Sequence, residues 1–267
     1  MQFQMAFPTT IHQRAAETIC AFWQQHEQTA AVILTNSCAR GVATPESDLD
    51  CVILLHDACS ANDQTMLEAQ WHDFYATEPI FQQLKQCGQF VGVHLDCSKA
   101  DWQATVWDDG GGPDDFELII GNLVAYSACI WQVDGAFDQL KVRWLPYYSD
   151  ELRHARLVMV RQACHYDLDH VPFFVQRKLY FQAFDRLYKA FQEFLQALFI
   201  AHKTYPIAYN KWIQQQVAEI LNLPELYAQL PRILQISQLE STEINSNAAM
   251  LRDLLEQWTY LPSHQPK

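Results

Sequence analysis

The pattern of hydrophobic and polar positions differs between the two parts of the chain. In residues 1–147, short apolar runs typical of strands lie between stretches in which apolar residues recur at helical spacing. After residue 147 the helical spacing continues almost to the end. The runs that predict strands lie at 31–35, 49–56, 90–96 and 125–133. The pattern therefore predicts a mixed α and β domain at 1–147 and a helical domain at 148–267.

The helical stretches of the first domain have identifiable starts and breaks. Residues 9–28 predict an amphipathic helix, with Thr9 or Thr10 as its N-cap. Residues 63–87 predict a helix that is interrupted at Pro79, because proline lacks the N–H group that a helix interior needs. An acidic, glycine-rich loop at 108–117 leads into a helix predicted at 114–124. No Lys-Ser or Lys-Thr follows the glycines, so the loop does not predict a phosphate-binding P-loop.

In the second domain, the longest predicted helix carries an aromatic and aliphatic stripe: Tyr180, Phe184, Leu187, Tyr188, Phe191, Phe194, Leu195, Leu198 and Phe199. A stripe at this spacing is typical of packing rather than of ligand binding. Pro206 suits the first turn of the next helix, which is predicted to bury Trp212 and to leave Lys211 off its apolar face. Further helices are predicted at 224–235 and 245–258.

Charge and cysteine usage exclude several classes of protein. The 267 residues include 31 acidic and 18 basic ones, a net charge of −13, which disfavours binding to nucleic acid and suits a cationic small substrate. The eight cysteines form no Cys-x-x-Cys pair, which argues against a zinc site and a disulfide framework. No apolar stretch is long enough to span a membrane, and no signal-peptide pattern opens the chain, so a cytoplasmic protein without membrane contact is expected.

The most informative segment is 32–55, in which two apolar runs flank a turn of small residues. The turn carries Ser37, and ten residues separate it from Asp48. Asp48 and Asp50 open the second apolar run. Two carboxylates two positions apart on a strand point to the same face, about 6 to 7 Å apart, where they can bind hard cations such as Mg²⁺. A solvated strand start or a local turn is the alternative explanation for an isolated Asp-x-Asp.

This segment resembles the signature of the nucleotidyltransferase superfamily, the polymerase-beta-like group, in which a Gly-Ser turn precedes Asp-x-Asp. The layout is similar to that of aminoglycoside and lincosamide nucleotidyltransferases. The resemblance implies an α+β fold, in which a nucleotidyltransferase domain with a mixed β-sheet flanked by helices precedes an all-α helical bundle. It also implies transfer of a nucleoside monophosphate from an NTP, with ATP expected, to a hydroxyl. Two Mg²⁺ ions held by three carboxylates are the implied cofactors.

The resemblance assigns roles to acids of the first domain. Asp48 and Asp50 are expected to bridge the metals. Asp96, at the end of the third predicted strand, is expected to be the third metal ligand and to accept the proton of the attacking hydroxyl. Glu117 is the runner-up for this catalytic base, because some relatives use an acid from this part of the domain.

The turn is expected to hold the phosphates of the nucleotide. Ser37, with neighbouring backbone N–H groups, is expected to bind the terminal phosphates, and Ser47 belongs to the same motif. Arg40 would either compensate charge there or pair with Glu46. Asn36 replaces the usual glycine of the family, but asparagine also tolerates the left-handed conformation that such a turn needs.

Two lysines of the helical domain, Lys203 and Lys211, are expected to bind the triphosphate, since helical domains of such enzymes often supply lysines. For Lys211, a solvated position is the alternative. The expected acceptor is a small hydroxylated molecule, for example an aminoglycoside-like one. The alternatives are a protein AMP-transferase of the antitoxin type, with a protein acceptor, and a catalytically degenerate module that only binds a nucleotide or a partner. The acceptor and the oligomeric state stay open.

Overall fold

The computed structural model describes residues 4–103 and 113–260, so the first half of the predicted glycine-rich loop lies outside the described residues. The described chain forms two compact units. One comprises 4–102 and 119–146 and contains the β-sheet. The other comprises residue 103, 113–118 and 147–260, and it is helical. No described helix is both long and apolar enough to cross a bilayer.

The described residues of the first unit form a mixed four-stranded sheet. Its strands are β1 (Thr29–Leu34), β2 (Leu49–Leu55), β3 (Val93–Ser98) and β4 (Ala128–Gln132). Their order across the sheet is β3-β2-β1-β4. Strands β2 and β3 are parallel, whereas β1 is antiparallel to both β2 and β4. A mixed sheet with flanking helices, followed by a helical region, confirms the predicted α+β class.

The helices before residue 146 are α1 (Thr10–Trp23), α2 (Asn36–Arg40), α3 (Ala61–Thr77), α4 (Pro79–Lys85), α5 (Phe116–Ile120) and α6 (Ala136–Trp144). A π-helical segment, Gly121–Ala125, continues α5. The side chain of Thr9 accepts a hydrogen bond from the N–H of His12, which confirms Thr9 as the N-cap of α1. Pro79 lies in the first turn of α4, which confirms the predicted break after α3.

Alternate residues of β2 face two different cores. Leu49, Cys51 and Ile53 belong to a cluster that includes residues of α1, α3 and α4. Val52 and Leu54 belong to a smaller cluster with Phe137 of α6. Because successive side chains of a strand point to opposite faces, the side chain of Asp50 points to the same face as those of Val52 and Leu54.

The second unit is built around two long helices and a third that packs on both. Its regular elements are α7 (Asp150–Gln176), α8 (Tyr180–Ala201), the π-helical segment Gln215–Ile220, α9 (Pro224–Tyr227), α10 (Leu230–Ile233) and α11 (Glu243–Trp258). Leu187, Phe191, Phe194 and Leu198 of the α8 stripe are buried in the main core of this unit. The prediction that the stripe serves packing is therefore confirmed.

Several predicted boundaries are wrong. Strand β3 begins at Val93 rather than at Phe90, which is 81% exposed. No helix begins at Pro206, because Gln216 holds the preceding segment in an irregular conformation: its side chain accepts from the N–H groups of Ile207 and Ala208. Trp212, which was predicted to be buried, has a φ of 60° and is 40% exposed. The strand predicted at 125–133 begins only at Ala128, since the π-helix occupies the preceding residues.

Candidate functional site

The register between β2 and β3 brings the predicted carboxylates to one face of the sheet. Asp50 pairs with His94, and Val52 pairs with Asp96, in a parallel ladder. Paired residues of neighbouring strands have side chains on the same face, so Asp50, His94 and Asp96 share it. Asp96 lies two residues beyond His94 on β3, so the strand geometry places it about 8 Å from Asp50. Asp96 is exposed and Asp50 is half-buried.

Asp48 ties the start of β2 to the start of β3. Its Oδ1 accepts a hydrogen bond of 3.0 Å from the N–H of Gly92. The N–H of Leu49 donates a hydrogen bond of 2.9 Å to the carbonyl of Gly92. The other oxygen, Oδ2, lies 3.6 Å from His94 Nε2. One oxygen of Asp48 is therefore held by the backbone, while the other faces the imidazole.

The chemistry of these donors fits a hard cation, since carboxylate oxygens are the ligands that Mg²⁺ prefers. They are not gathered into a coordination sphere: in the described ranges, no group of three or more His, Cys, Asp or Glu residues could hold a metal ion as it stands. Metal binding by Asp48, Asp50 and Asp96 would therefore require their side chains to converge.

The turn before α2 has the conformation that the sequence predicted. Asn36 has a φ of 55°, in the left-handed region, a conformation that asparagine tolerates. The N–H of Thr35 donates a hydrogen bond of 2.9 Å to the carbonyl of Asp50, so the turn and the carboxylate strand are held side by side. Gly41 ends α2 with a φ of 71°, and a Cβ at this position would lie 2.4 Å from the carbonyl oxygen of Gln4.

Arg40 is buried beside the carboxylate strand and interacts electrostatically with Asp50. Burial lowers the pKa of Arg40, whereas the charges of Asp50 and Tyr126 raise it. Asp50 also acts on the neighbouring thiol: burial, and then the charge of Asp50, raise the pKa of Cys38 to about 11. Arg40 thus interacts with Asp50, which the sequence did not suggest as its partner, while Glu46, which it did suggest, lies exposed.

Ser47 is held within the loop that leads to Asp48. Its hydroxyl accepts a hydrogen bond of 2.9 Å from the N–H of Thr44, and its carbonyl accepts one of 3.0 Å from His12 Nε2. Because a carbonyl only accepts, His12 carries its proton on Nε2, and Nδ1 accepts from the Thr9 hydroxyl at 2.7 Å. Sequence reasoning missed His12; its signal was a histidine on the apolar face of α1, where it is fully buried.

Ser37 is half-buried in the first turn of α2. Its carbonyl accepts a hydrogen bond of 3.0 Å from the N–H of Val42, which closes the loop after this helix. Asn36, Ser37 and Arg40 therefore lie on one short helix next to Asp50, as the phosphate-binding role would require.

Glu117 lies in the helical unit, where its fully buried carboxylate is saturated with donors. Oε1 accepts from Arg156 Nε at 2.8 Å and from the Tyr148 hydroxyl at 2.7 Å. Oε2 accepts from Arg156 Nη2 at 2.7 Å and from Gln196 Nε2 at 3.0 Å. Arg156 also binds Asp114 at 2.7 Å. This network does not present Glu117 to an acceptor hydroxyl, so its geometry favours Asp96 as the base.

The two predicted lysines also belong to the helical unit. Lys203 follows α8 with a φ of 50°, and its Nζ lies 2.7 Å from Asp150 Oδ1. Lys211 is exposed, and its carbonyl accepts a hydrogen bond of 2.9 Å from Gln216 Nε2. Their predicted contact with the triphosphate stays a prediction.

Comparison with known families finds a similarity in the first unit. Residues 14–83 match the model of the nucleotidyltransferase domain family. The match includes the Asn36–Arg40 helix and both Asp48 and Asp50, and it ends before Asp96. It supports membership of this segment in the nucleotidyltransferase superfamily and a general nucleotidyl transfer activity. No curated protein matches the chain.

Proposed function

We propose that the protein is a Mg²⁺-dependent nucleotidyltransferase that transfers a nucleoside monophosphate from an NTP, with ATP favoured, to a hydroxyl of a small molecule. One observation carries the proposal: Asp50 and Asp96 lie on one face of paired strands, and Asp48, directly before β2, lies 3.6 Å from His94 of that face. Asp48 and Asp50 belong to the segment that is similar to nucleotidyltransferase domains, and Asp96 lies on the strand beside it. The turn that begins at Asn36 is bonded to the same strand.

Each residue would have a separate task in the transfer. The acceptor oxygen would form a bond to the α-phosphorus while the bond to pyrophosphate breaks, and exposed Asp96 would take the hydroxyl proton. The hydroxyl of Ser37 would donate a hydrogen bond to an oxygen of a terminal phosphate. Mg²⁺ held by Asp48 and Asp50 would supply positive charge at the phosphate oxygens.

Arg40 and His12 would hold the carboxylates of this site in place. The buried charge of Arg40 interacts with Asp50, so it would help to hold the side chain of Asp50 in place before a cation arrives. His12 would act at the other carboxylate, because its hydrogen bond to the Ser47 carbonyl fixes the residue that precedes Asp48.

The charge of the molecule bears on the acceptor. At a net charge of −13, the protein attracts cations at long range and repels the phosphate backbone of nucleic acids. A positively charged polyol of the aminoglycoside kind, as in the enzymes that the motif resembles, is therefore the acceptor class that we favour.

Calorimetric titration with each NTP, with and without Mg²⁺, tests the proposal. We expect saturable, Mg²⁺-dependent binding to the wild type, and its loss in the Asp48→Asn/Asp50→Asn variant, because the neutral amides cannot replace two anionic ligands. The Glu68→Gln/Asp73→Asn variant removes the same charge from exposed positions of α3 and should bind as the wild type does. Equal binding by the Asp48→Asn/Asp50→Asn variant would contradict the proposed site.

A further inference from the structure

A cleft of about 370 Å³ lies between the sheet and α6, within the first unit. Its volume falls in the range of small-molecule sites, about 300 to 1,000 Å³. We call it the α6 cleft; Ala30 of β1, Leu54 of β2 and Ala136 and Leu140 of α6 contribute to its walls. The cleft is on the sheet face of Asp50, but Leu54 lies four positions further along β2, about 13 Å away.

Three alanines contribute to the lining of the cleft. Ala30 and Ala100 are 3% and 2% exposed, so they form a closed floor, and Ala136 lies at the start of α6. All three line the cleft. Such a floor leaves room for a small apolar body, while much of the remaining lining is polar: His56, Asp57, Lys99, Gln139 and Arg143.

The rim carries positive charge, which is unusual in a chain with 31 acidic and 18 basic residues. Arg143 and Lys99 line it together with Asp57 and His56. Among the described residues, neither Arg143 nor Lys99 forms an ion pair with a carboxylate: Lys99 donates to the carbonyl of Cys59, and Arg143 lies 4.9 Å from the ring of Trp144. The charge of Lys99 also acts on Asp63, and Asp57 adds a carboxylate to the rim, so Arg143 is the main cation that the cleft presents to an anion.

We propose that the α6 cleft is a second binding site, separate from the carboxylates, for a small organic anion with a flat apolar body. The body would lie on the alanine floor, and its oxyanion would pair with Arg143, whose planar guanidinium matches a carboxylate or phosphate. Lys99 would add a second charge. The site recognises the oxyanion, which either a carboxylate or a phosphate monoester supplies.

Titration of the full chain with benzoate, phenyl phosphate and benzamide, followed by NMR or calorimetry, tests this site. Benzamide has the shape of benzoate but no charge. We expect saturable binding of at least one anion and about tenfold weaker binding of benzamide, because a charge-assisted hydrogen bond is replaced by a neutral one. Benzoate and phenyl phosphate distinguish the two sources of the oxyanion.

Variants locate the bound anion. Arg143→Gln should weaken binding about tenfold, whereas Lys141→Gln, which removes the same charge from the same helix outside the cleft, should leave it unchanged. Ala136→Leu should block the apolar body, and Arg143→Gln keeps the test decisive if that larger side chain impairs folding. Benzamide binding as tightly as the anions, equal effects of Arg143→Gln and Lys141→Gln, or no saturable binding would overturn the proposal.

Discussion

Single residues decide the backbone conformation around the carboxylate strand. Asn36 and Gly41, at the two ends of α2, both have positive φ, but they meet different surroundings. Asparagine can adopt the conformation at position 36, whereas position 41 also lies against the backbone of Gln4. The backbone therefore accepts asparagine at position 36, while position 41 requires a residue without a side chain.

Gly41→Ala should destabilise the fold more than Gly135→Ala. Both glycines have a φ near 70°, so both substitutions carry backbone strain of about 1 kcal/mol or more. Only at Gly41 would the new Cβ meet a backbone oxygen, at 2.4 Å; at Gly135 its nearest neighbour is 3.9 Å away. Chemical denaturation of both variants measures the difference, and equal losses would show that the contact with Gln4 does not matter.

At the scale of elements, the sequence predicted what depends on local periodicity and missed what depends on distant partners. The β1, α2 and β2 succession and the break at Pro79 follow from apolar runs and proline chemistry. The irregular segment before Gln216 does not, since one side chain satisfies its backbone groups. The Glu117 network was equally hidden, because Arg156 lies 39 positions away and Gln196 lies 79 away.

The packing of α7 against α8 contains a buried acid whose ionisation should limit stability. Burial, and then the charge of Asp167, raise the pKa of Glu193 from its ordinary 4.5 to about 8. Between these two values the unfolded chain has lost the proton and the folded one keeps it. Stability should therefore fall as the pH rises through this window, by up to about 1.4 kcal/mol per pH unit.

Glu193→Gln should remove this dependence. The variant should be more stable than the wild type at pH 8 and differ less from it at pH 5, because glutamine has no proton to lose. Asp185→Asn serves as the control: it removes an exposed acid of the same helix and should show no such trend. Denaturation curves recorded at both pH values give the comparison, and parallel behaviour of Glu193→Gln and the wild type would refute the buried-acid effect.

At the scale of the whole molecule, the chain combines a sheet unit that holds the motif with a helical unit that has its own core. From the change of periodicity near residue 147, the sequence predicted a helical region after the mixed sheet. It could not predict that 113–118 belongs to the helical unit, since the network around Arg156 that fixes this segment joins residues far apart in sequence. Likewise, the Asp50 and Asp96 arrangement became evident only from the strand register.

Pyrophosphate release from ATP and Mg²⁺, measured with and without a cationic polyol acceptor such as an aminoglycoside, tests the central claim most directly. We expect acceptor-dependent release by the wild type and a loss of about 100-fold or more in Asp50→Asn, which removes one anionic ligand of the proposed cation. The variant should still melt cooperatively, but at a lower temperature than the wild type, because it removes a charge that interacts with the buried Arg40 while the backbone bond from Thr35 to Asp50 stays in place. Unchanged release by a folded Asp50→Asn protein would contradict the assignment of these carboxylates.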